Sequence, residues 1–353
     1  MKAVRLYGTH DLRVESLPKP ECEPGKVLIR TLYCGVCGSD VPRLFGGDVA
    51  RSPEAIGHEF SAIVEEIGEG VTTLKRGDLV VVAPLIVCHE CPDCKSGHFG
   101  QCKNSKFIGV AFPDKSGFIE YNVVDEINAM KLPDGIDPLK AAFVEPLSVS
   151  LHGLFLMGLR KGEDIAVIGA GTIGLLAVQA ARALGAGRIF VFDINPSRLE
   201  RARLFGAHAV FNTAEDGYFE DYLSQTSGRG VGQIVEAVGE EATIQLAIRA
   251  ADTAGDIAII GTMHKDVTLP PSLFYSTFSR RQLNIHGVWM SYSDNYPGDE
   301  WREAARLIAD GSVNVEALID RIVDIDDAYE AMCDYTIPNK VSGKIMLKMT
   351  PEQ

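Results

Sequence analysis

Four cysteines, Cys88, Cys91, Cys94 and Cys102, stand in a C-x2-C-x2-C-x7-C run. One loop with that spacing presents four thiolates to a tetrahedral Zn²⁺, and four protein ligands leave no open position, so the expected site is closed and structural. The first three spacings also suit a ferredoxin-type iron–sulfur run. There, however, the fourth cysteine follows after three residues and precedes proline, whereas Lys103 follows Cys102 here. His89 lies between two of the thiolates and is not needed as a ligand.

A second chemical signature is Gly169-Ala-Gly171-Thr-Ile-Gly174. The apolar run Ile165-Ala-Val-Ile168 reads as a buried parallel strand feeding this turn. Gly169 permits the sharp turn, Gly171 lets a pyrophosphate approach the main chain, and Gly174 lets the following helix pack on the strand. Ile173, Ala177, Ala180, Ala181 and Leu184 recur at helical spacing, and the helix start offers free N–H groups to an anion. Arg188-Ile-Phe-Val-Phe192 reads as the next strand. It delivers Asp193 roughly twenty residues after the turn, where a carboxylate accepts the adenosine ribose hydroxyls and repels a 2′-phosphate. NAD is therefore expected in preference to NADP, with Gly169, Gly171, Ile173, Gly174, Asp193 and Arg198 as its contacts.

A third set is dispersed: Cys37-Gly-Ser-Asp40, Gly57-His-Glu59 and Glu145-Pro146. Cys37, His58 and a carboxylate would make a three-ligand zinc site with a position left for water or substrate. Taken singly, a cysteine in β-structure is ordinarily a packed thiol and a His-Glu pair ordinarily lies on the surface. Cys22, Cys34 and Cys333 stay under that ordinary reading, and His10, His98, His152, His208, His264 and His286 receive no metal role.

The elements that must position these groups fall into two patterns. From Lys2 to about Asn128, short β-runs such as 26–33, 61–67 and 78–82 are broken by glycine, proline and charge, the pattern of a compact antiparallel barrel. Asp137-Pro138 opens a helix in which Pro146 is expected to force a break just after Glu145. Beyond Asp193, Asn195-Pro196 caps a helix that Gly206 ends, and strands at 233–237, 256–260 and 284–288 complete a doubly wound sheet. Trp301, Ala304, Ala305 and Ile308 mark a further amphipathic helix. The strand-like tail 344–348 is expected to rejoin the first domain. The resulting division is 1–152 with 290–353 for one domain and 153–289 for the other.

Length and composition agree with two cores: 353 residues, 46% of them apolar. A formal net charge of −14, from 48 acids against 34 bases, argues against a nucleic-acid or anionic-membrane partner. No apolar signal core opens the sequence and no run approaches 18 apolar residues, so a cytoplasmic location is expected. Clustered cysteines in such a chain favour metal ligation over disulfides.

The order Cys37-Gly-Ser-Asp, Gly57-His-Glu, four clustered cysteines, Glu145-Pro and GAGTIG resembles the zinc-containing medium-chain dehydrogenases over nearly the whole chain. Within them it is similar to the polyol branch, whose third ligand is a glutamate. The resemblance implies a GroES-like β-barrel catalytic domain built from both chain ends plus a Rossmann domain. It implies two zinc ions per chain, Cys37, His58 and Glu145 as ligands of the catalytic one, and Glu59 as a carboxylate able to join them directly or through water. Ser39 becomes the first proton acceptor, its hydroxyl both giving and taking hydrogen bonds. Asp40 becomes the partner that fixes the His58 tautomer. Pro42 stands where some alcohol dehydrogenases carry the last histidine of the relay, so the terminal acceptor is unassigned. A homodimer or homotetramer is also expected.

Gly261-Thr-Met-His264, Gly287-Val-Trp-Met-Ser-Tyr-Ser293, Pro297-Gly-Asp-Glu-Trp301 and Cys37-Gly-Ser-Asp-Val-Pro-Arg43 look like a narrower group that oxidises galactitol 1-phosphate to L-tagatose 6-phosphate. Sheet-edge packing is the ordinary reading of the aromatic positions among them. Arg43 borders the ligand loop and is the candidate to hold the phosphate, with a solvated surface charge as its alternative. Unphosphorylated polyols (the sorbitol, L-idonate and butanediol types), threonine, and a non-catalytic dinucleotide sensor remain as alternatives.

Overall fold

Ile165–Ile168 is apolar at every position and buried at every position, because helices cover both faces of the sheet it centres. In the computed structural model, which describes residues 1–46 and 52–349, this strand is the middle of a six-stranded parallel sheet. The order is Ala209–Asn212, Ile189–Asp193, Ile165–Ile168, Val231–Glu236, Ala251–Ile259 and Asn284–Gly287. The chain runs outward on one side of the central strand and then crosses to the other, so the order reverses at Ile165–Ile168. Phe190, Phe192, Phe211 and Tyr222 fill one face, with Phe192 stacked on Phe211 at 5.0 Å. The Asn195 side chain accepts hydrogen bonds from the Ser197 and Arg198 amides, capping the helix Pro196–Leu204 as expected.

This sheet belongs to the unit Pro146–Ser291 with Gly311–Val313. The other unit, Met1–Glu145 with Tyr292–Asp310 and Asn314–Gln353, is built around Lys26–Gly35. That strand pairs antiparallel with Glu59–Ile67, Tyr121–Asp125 and Lys344–Lys348. The tail therefore does rejoin the first part of the chain, Met346 facing Gly35 and Leu347 facing Cys34. Its other edge pairs parallel with Ile319–Asp324, a strand the sequence pattern does not announce. A separate three-stranded sheet joins Asp11–Ser16, Lys2–Gly8 and the two-residue strand Glu54–Ala55. Trp301 is fully buried in the helix Asp299–Ala309, together with Ala304, Ala305 and Ile308. No helix among the described residues is long and apolar enough to cross a membrane.

The break near Glu145 differs from expectation. Asp137 caps a short helix, Pro138–Ala141, and a new helix runs Val144–Leu156 with Glu145 and Pro146 in its first turn. Proline is tolerated there because first-turn amides have no intrahelical acceptor to lose. Pro146 thus marks a beginning and not a break. An expected division after residue 152 falls inside this helix, whose first two residues belong to one unit and whose remainder belongs to the other.

The glycine turn gives a direct test of packing. A Cβ on Gly174 would lie 1.7 Å from the carbonyl oxygen of Gly169, a main-chain atom that cannot step aside, whereas a Cβ on Gly171 would meet nothing within 4 Å. Gly174→Ala is expected to lower unfolding free energy by about 1–3 kcal/mol, the usual cost of overpacking. Gly171→Ala is expected to change it by no more than about 0.5 kcal/mol. Urea unfolding of the two variants checks the contrast.

Candidate metal and dinucleotide sites

In the loop 88–102 the sulfurs of Cys88 and Cys94 are 4.0 Å apart and those of Cys88 and Cys102 are 3.5 Å apart. A disulfide requires about 2.05 Å. The edge of a tetrahedron with Zn–S bonds of about 2.3 Å is roughly 3.8 Å, so the observed spacings suit four ligands of one ion. Turn geometry aims main-chain N–H groups at the sulfurs: Cys91 N lies 3.4 Å from Cys88 Sγ and Cys94 N lies 3.5 Å from Cys91 Sγ. Hydrogen bonds from the Glu90 and Cys91 amides hold the Cys88 thiol down to about 6, and that from Cys94 lowers Cys91. Burial instead pushes Cys94 up to about 12, a thiol that needs a cation to ionise. All four ligand atoms lie within 4.8 Å of one another.

The dispersed set also assembles, inside the first unit. Ligand atoms of Cys37, His58 and Glu59 lie within 4.8 Å of one another. Cys37 follows the hub strand Lys26–Gly35, and Glu59 opens the strand paired to it, Gly35 facing Glu59 in the register. Glu145 is not in that tight group but acts on it electrostatically. It is 9% exposed, and burial raises its carboxyl to about 7 against the opposing influence of His58. Asp40 is fully buried; its Oδ2 accepts from Cys37 N at 3.0 Å and its Oδ1 stands 3.9 Å from His58 Nδ1. Ser39 is exposed and its hydroxyl donates to Cys37 Sγ at 3.2 Å.

One member escaped the sequence reading. Lys344, 5% exposed, pairs its ammonium with Glu59 Oε2 and donates to the carbonyl of Val36 at 3.2 Å. Only the pairing of the tail with the hub strand brings it there. The charges of Glu59 and Cys37 raise its pKa although burial acts first in the other direction. The donor set fits zinc: a soft thiolate, an imidazole and carboxylates gathered in one buried place, with His58 Nδ1 left without a hydrogen-bond partner.

Arg43 is placed otherwise than a phosphate clamp requires. Its side chain is 11% exposed, pairs with the fully buried Glu54 and donates to the carbonyl of Gly109 at 3.0 Å. Glu54 and the loop carbonyl already use its charge and its donors. Tyr292 and Trp301, from the narrower motifs, pack against each other at 6.0 Å, while Trp289 is 51% exposed and His264 is exposed.

In the second unit, the turn 169–174 joins the central strand to the helix Thr172–Ala183. Gly169 has φ +96° and Gly171 leaves open space where a side chain would stand, which is what close approach of a pyrophosphate needs. Asp193 ends its strand 8% exposed, Oδ2 accepting from Ala170 N at 2.6 Å and Oδ1 from Asn195 N at 2.8 Å. Ile173 is half-buried, and Arg198 is exposed in the first turn of the next helix.

Comparison with known proteins agrees with this anatomy. The alcohol dehydrogenase GroES-like domain family matches residues 23–134 and the zinc-binding dehydrogenase family matches residues 172–310. Galactitol 1-phosphate 5-dehydrogenase of Escherichia coli (strain K12) is 36% identical over 348 residues, covering 98% of this chain and 99% of that protein. The crystal structure of galactitol-1-phosphate dehydrogenase from Escherichia coli superimposes with a TM-score of 0.94 at 35% identity, over 99% of this chain and 100% of that one. Sorbitol dehydrogenase of Bacillus subtilis (strain 168) is 31% identical over 94% of this chain and 92% of its own length. A zinc-binding dehydrogenase from Sinorhizobium meliloti 1021, solved with NADP, has a TM-score of 0.88 at 30% identity, covering 99% of both chains. With both domains matched in order and polyol-oxidising relatives aligned end to end, the chain belongs to the zinc-containing medium-chain dehydrogenases, in their polyol dehydrogenase branch.

Proposed function

We propose that this chain oxidises a secondary alcohol of a polyol with NAD⁺, and that the polyol is galactitol 1-phosphate, giving L-tagatose 6-phosphate. The gathering of Cys37, His58 and Glu59 within 4.8 Å, with Glu145 buried beside them, carries the catalytic part of the reading. The 36% identity to a galactitol 1-phosphate 5-dehydrogenase over 98% of the chain carries the substrate.

Cys37, His58 and Glu145 would hold the catalytic zinc, with Glu59 able to join them, and Cys88, Cys91, Cys94 and Cys102 the structural one. Bound in the first place, zinc supplies the Lewis acidity that lowers the pKa of a hydroxyl, and the nicotinamide supplies the hydride acceptor. Asp40 lies on the Nδ1 side of the His58 ring, 3.9 Å away and without a hydrogen bond, and in the metal-bound site would favour the ring orientation through its charge. The exposed Ser39 hydroxyl takes the proton released from the substrate alcohol and passes it onward. Lys344 draws the Glu59 carboxylate to itself and offsets its charge. Asp193 sets NAD above NADP by receiving the adenosine ribose.

An unphosphorylated polyol is the second reading, and one observation favours it. Arg43 is already neutralised by Glu54, so the cation nearest in sequence to the ligand loop is not free for a phosphate. Removing Arg43 takes a cation away from a buried carboxylate and is expected to cost stability, up to about 3–5 kcal/mol for breaking such a pair, which makes Arg43→Ala a poor probe of substrate choice.

Metal analysis of active protein is expected to find two zinc ions per chain; Glu145→Ala is expected to retain one, held by the cysteine loop. A value near one in fully active wild type contradicts the two-site assignment. Asp193→Ser is expected to bring NADP⁺ use toward that of NAD⁺, and equal use of both by the wild type removes the role given to Asp193. NADH formation on galactitol 1-phosphate, galactitol, sorbitol and 2,3-butanediol decides the substrate. The phosphorylated hexitol is expected to exceed galactitol by about tenfold or more in kcat/KM, the effect of one charge-assisted contact. Equal rates leave a general polyol dehydrogenase, and no NADH from any polyol would favour a non-catalytic binding protein.

A further inference from the structure

Arg43 is spent on architecture, and what it braces carries cations of its own. Besides pairing with Glu54 it donates to the carbonyl of Gly109 at 3.0 Å, just past the two-residue strand Lys106–Phe107. Main-chain bonds close the stretch that follows into a loop. Gly109 N donates to Lys115 O at 3.0 Å, Ala111 N to Phe107 O at 2.7 Å, and Ala55 N to Phe112 O at 3.0 Å. This loop lies against the candidate ligand His58. A Cβ on Gly109 would be 2.3 Å from Gly57 O, and the Phe107 ring meets the His58 ring edge-on, with centroids 5.4 Å apart.

Two lysines of the loop share one aromatic ring. Lys106 Nζ lies 5.9 Å and Lys115 Nζ 5.7 Å from the centroid of Phe112, a ring that packs on the barrel core. Lys106 is exposed and Lys115 half-buried, and neither ammonium has an ion pair or a hydrogen bond among the described residues. Glu23, whose carboxyl is held low first by its hydrogen bond to Lys26 and also by the charge of Lys115, is already paired with Lys26 at 2.5 Å. A protein with 48 acids against 34 bases thus leaves these two cations unpaired beside each other. Each gains from the face of the ring, but the two repel one another, and an anion received by both removes that repulsion.

We propose that Lys106 and Lys115 form the phosphate-binding end of the substrate site and select a phosphate monoester of a polyol over the free polyol. In galactitol 1-phosphate the ester stands four carbon–carbon bonds from the carbon that is oxidised. The cations that receive it therefore belong on a loop bordering the metal ligands and not among them. An ammonium suits that place, since it serves a phosphate as a point charge and needs no fixed two-pronged geometry. The proposal rests on the polyol phosphate reading of the site and supplies the cations that Arg43 does not.

NADH formation from galactitol 1-phosphate and from galactitol is to be measured on the zinc-loaded full chain as wild type, Lys106→Gln, Lys115→Gln, the double glutamine variant and Lys115→Arg, with melting temperatures alongside. Lys103→Gln, which removes an exposed lysine outside the loop, is the control for overall charge. The quantity read is the ratio of kcat/KM for the phosphate ester to kcat/KM for galactitol. Each single glutamine replacement is expected to lower that ratio about tenfold, through a higher KM for the ester with kcat nearly kept. The double variant is expected to bring the ratio to within about threefold of one, whereas Lys115→Arg, which keeps the charge, is expected to stay within about threefold of wild type. Lys103→Gln is expected to leave the ratio where the wild type has it. An unchanged ratio in the double variant, an equal loss for both substrates, or the same fall in Lys103→Gln overturns the proposal, and a wild-type preference for the ester then keeps the polyol phosphate reading. If the double variant does not fold, the single variants decide by the same criteria. A wild type that oxidises the two substrates equally, or neither, overturns that reading and the proposal with it.

Discussion

Cys37, Asp40, Glu59 and Glu145 crowd acidic groups into the interior of one unit, and a buried anion is tolerated only beside a cation or a hydrogen-bond donor. Lys344 supplies a cation there, pairing with Glu59 from a side chain that is itself 5% exposed. Burial raises the carboxyl of Glu145 to about 7, with the charges of His58 and Lys344 acting in the other direction. A divalent ion bound by Cys37 and His58 would add further positive charge, which is why these groups read as a metal site and not as an accident of packing.

The cysteine loop solves the same problem differently. Amides of the loop itself hold the thiols of Cys88 and Cys91 down, while burial pushes that of Cys94 up. In the second unit, carboxylates at strand ends are matched to main-chain N–H groups, so Asp193 and Glu236 stiffen the turns beside them. A paired ammonium and peptide amides are two answers to one electrostatic demand, and an ion at the candidate ligands would be a third. Each occurs where the local structure can supply it.

What was legible in the sequence was what lies close together along it. The cysteine spacing, the strand–turn–helix around Gly171, the cap at Asn195 and the apolar stripe of the Trp301 helix depend on neighbours a few residues away. What was not legible depended on distant partners. Arg43 looked like a free cation because nothing nearby in sequence announces Glu54, a buried acid on a two-residue strand. Lys344 looked like one more residue of a strand, since its role follows from pairing that no local pattern encodes. Pro146 shows a different difficulty: the same residue breaks a helix interior and begins a helix, and the choice turned on where the preceding turn ended.

The separations along the chain differ sharply between the two clusters of candidate ligands. Cys88 and Cys102 are 14 residues apart, whereas Lys344 reaches a carbonyl 308 residues away. For a flexible chain, the closure entropy for the longer loop exceeds that of the shorter by about 3 kcal/mol. The thiol loop is therefore a local structure that a growing chain possesses once its own short segment has emerged. The Lys344–Glu59 pair is a property of the nearly finished molecule, since Lys344 must be made and laid beside the hub strand before Glu59 has its counter-ion. Chain growth would thus separate in time the cysteine cluster from the buried cluster of Cys37, His58 and Glu59.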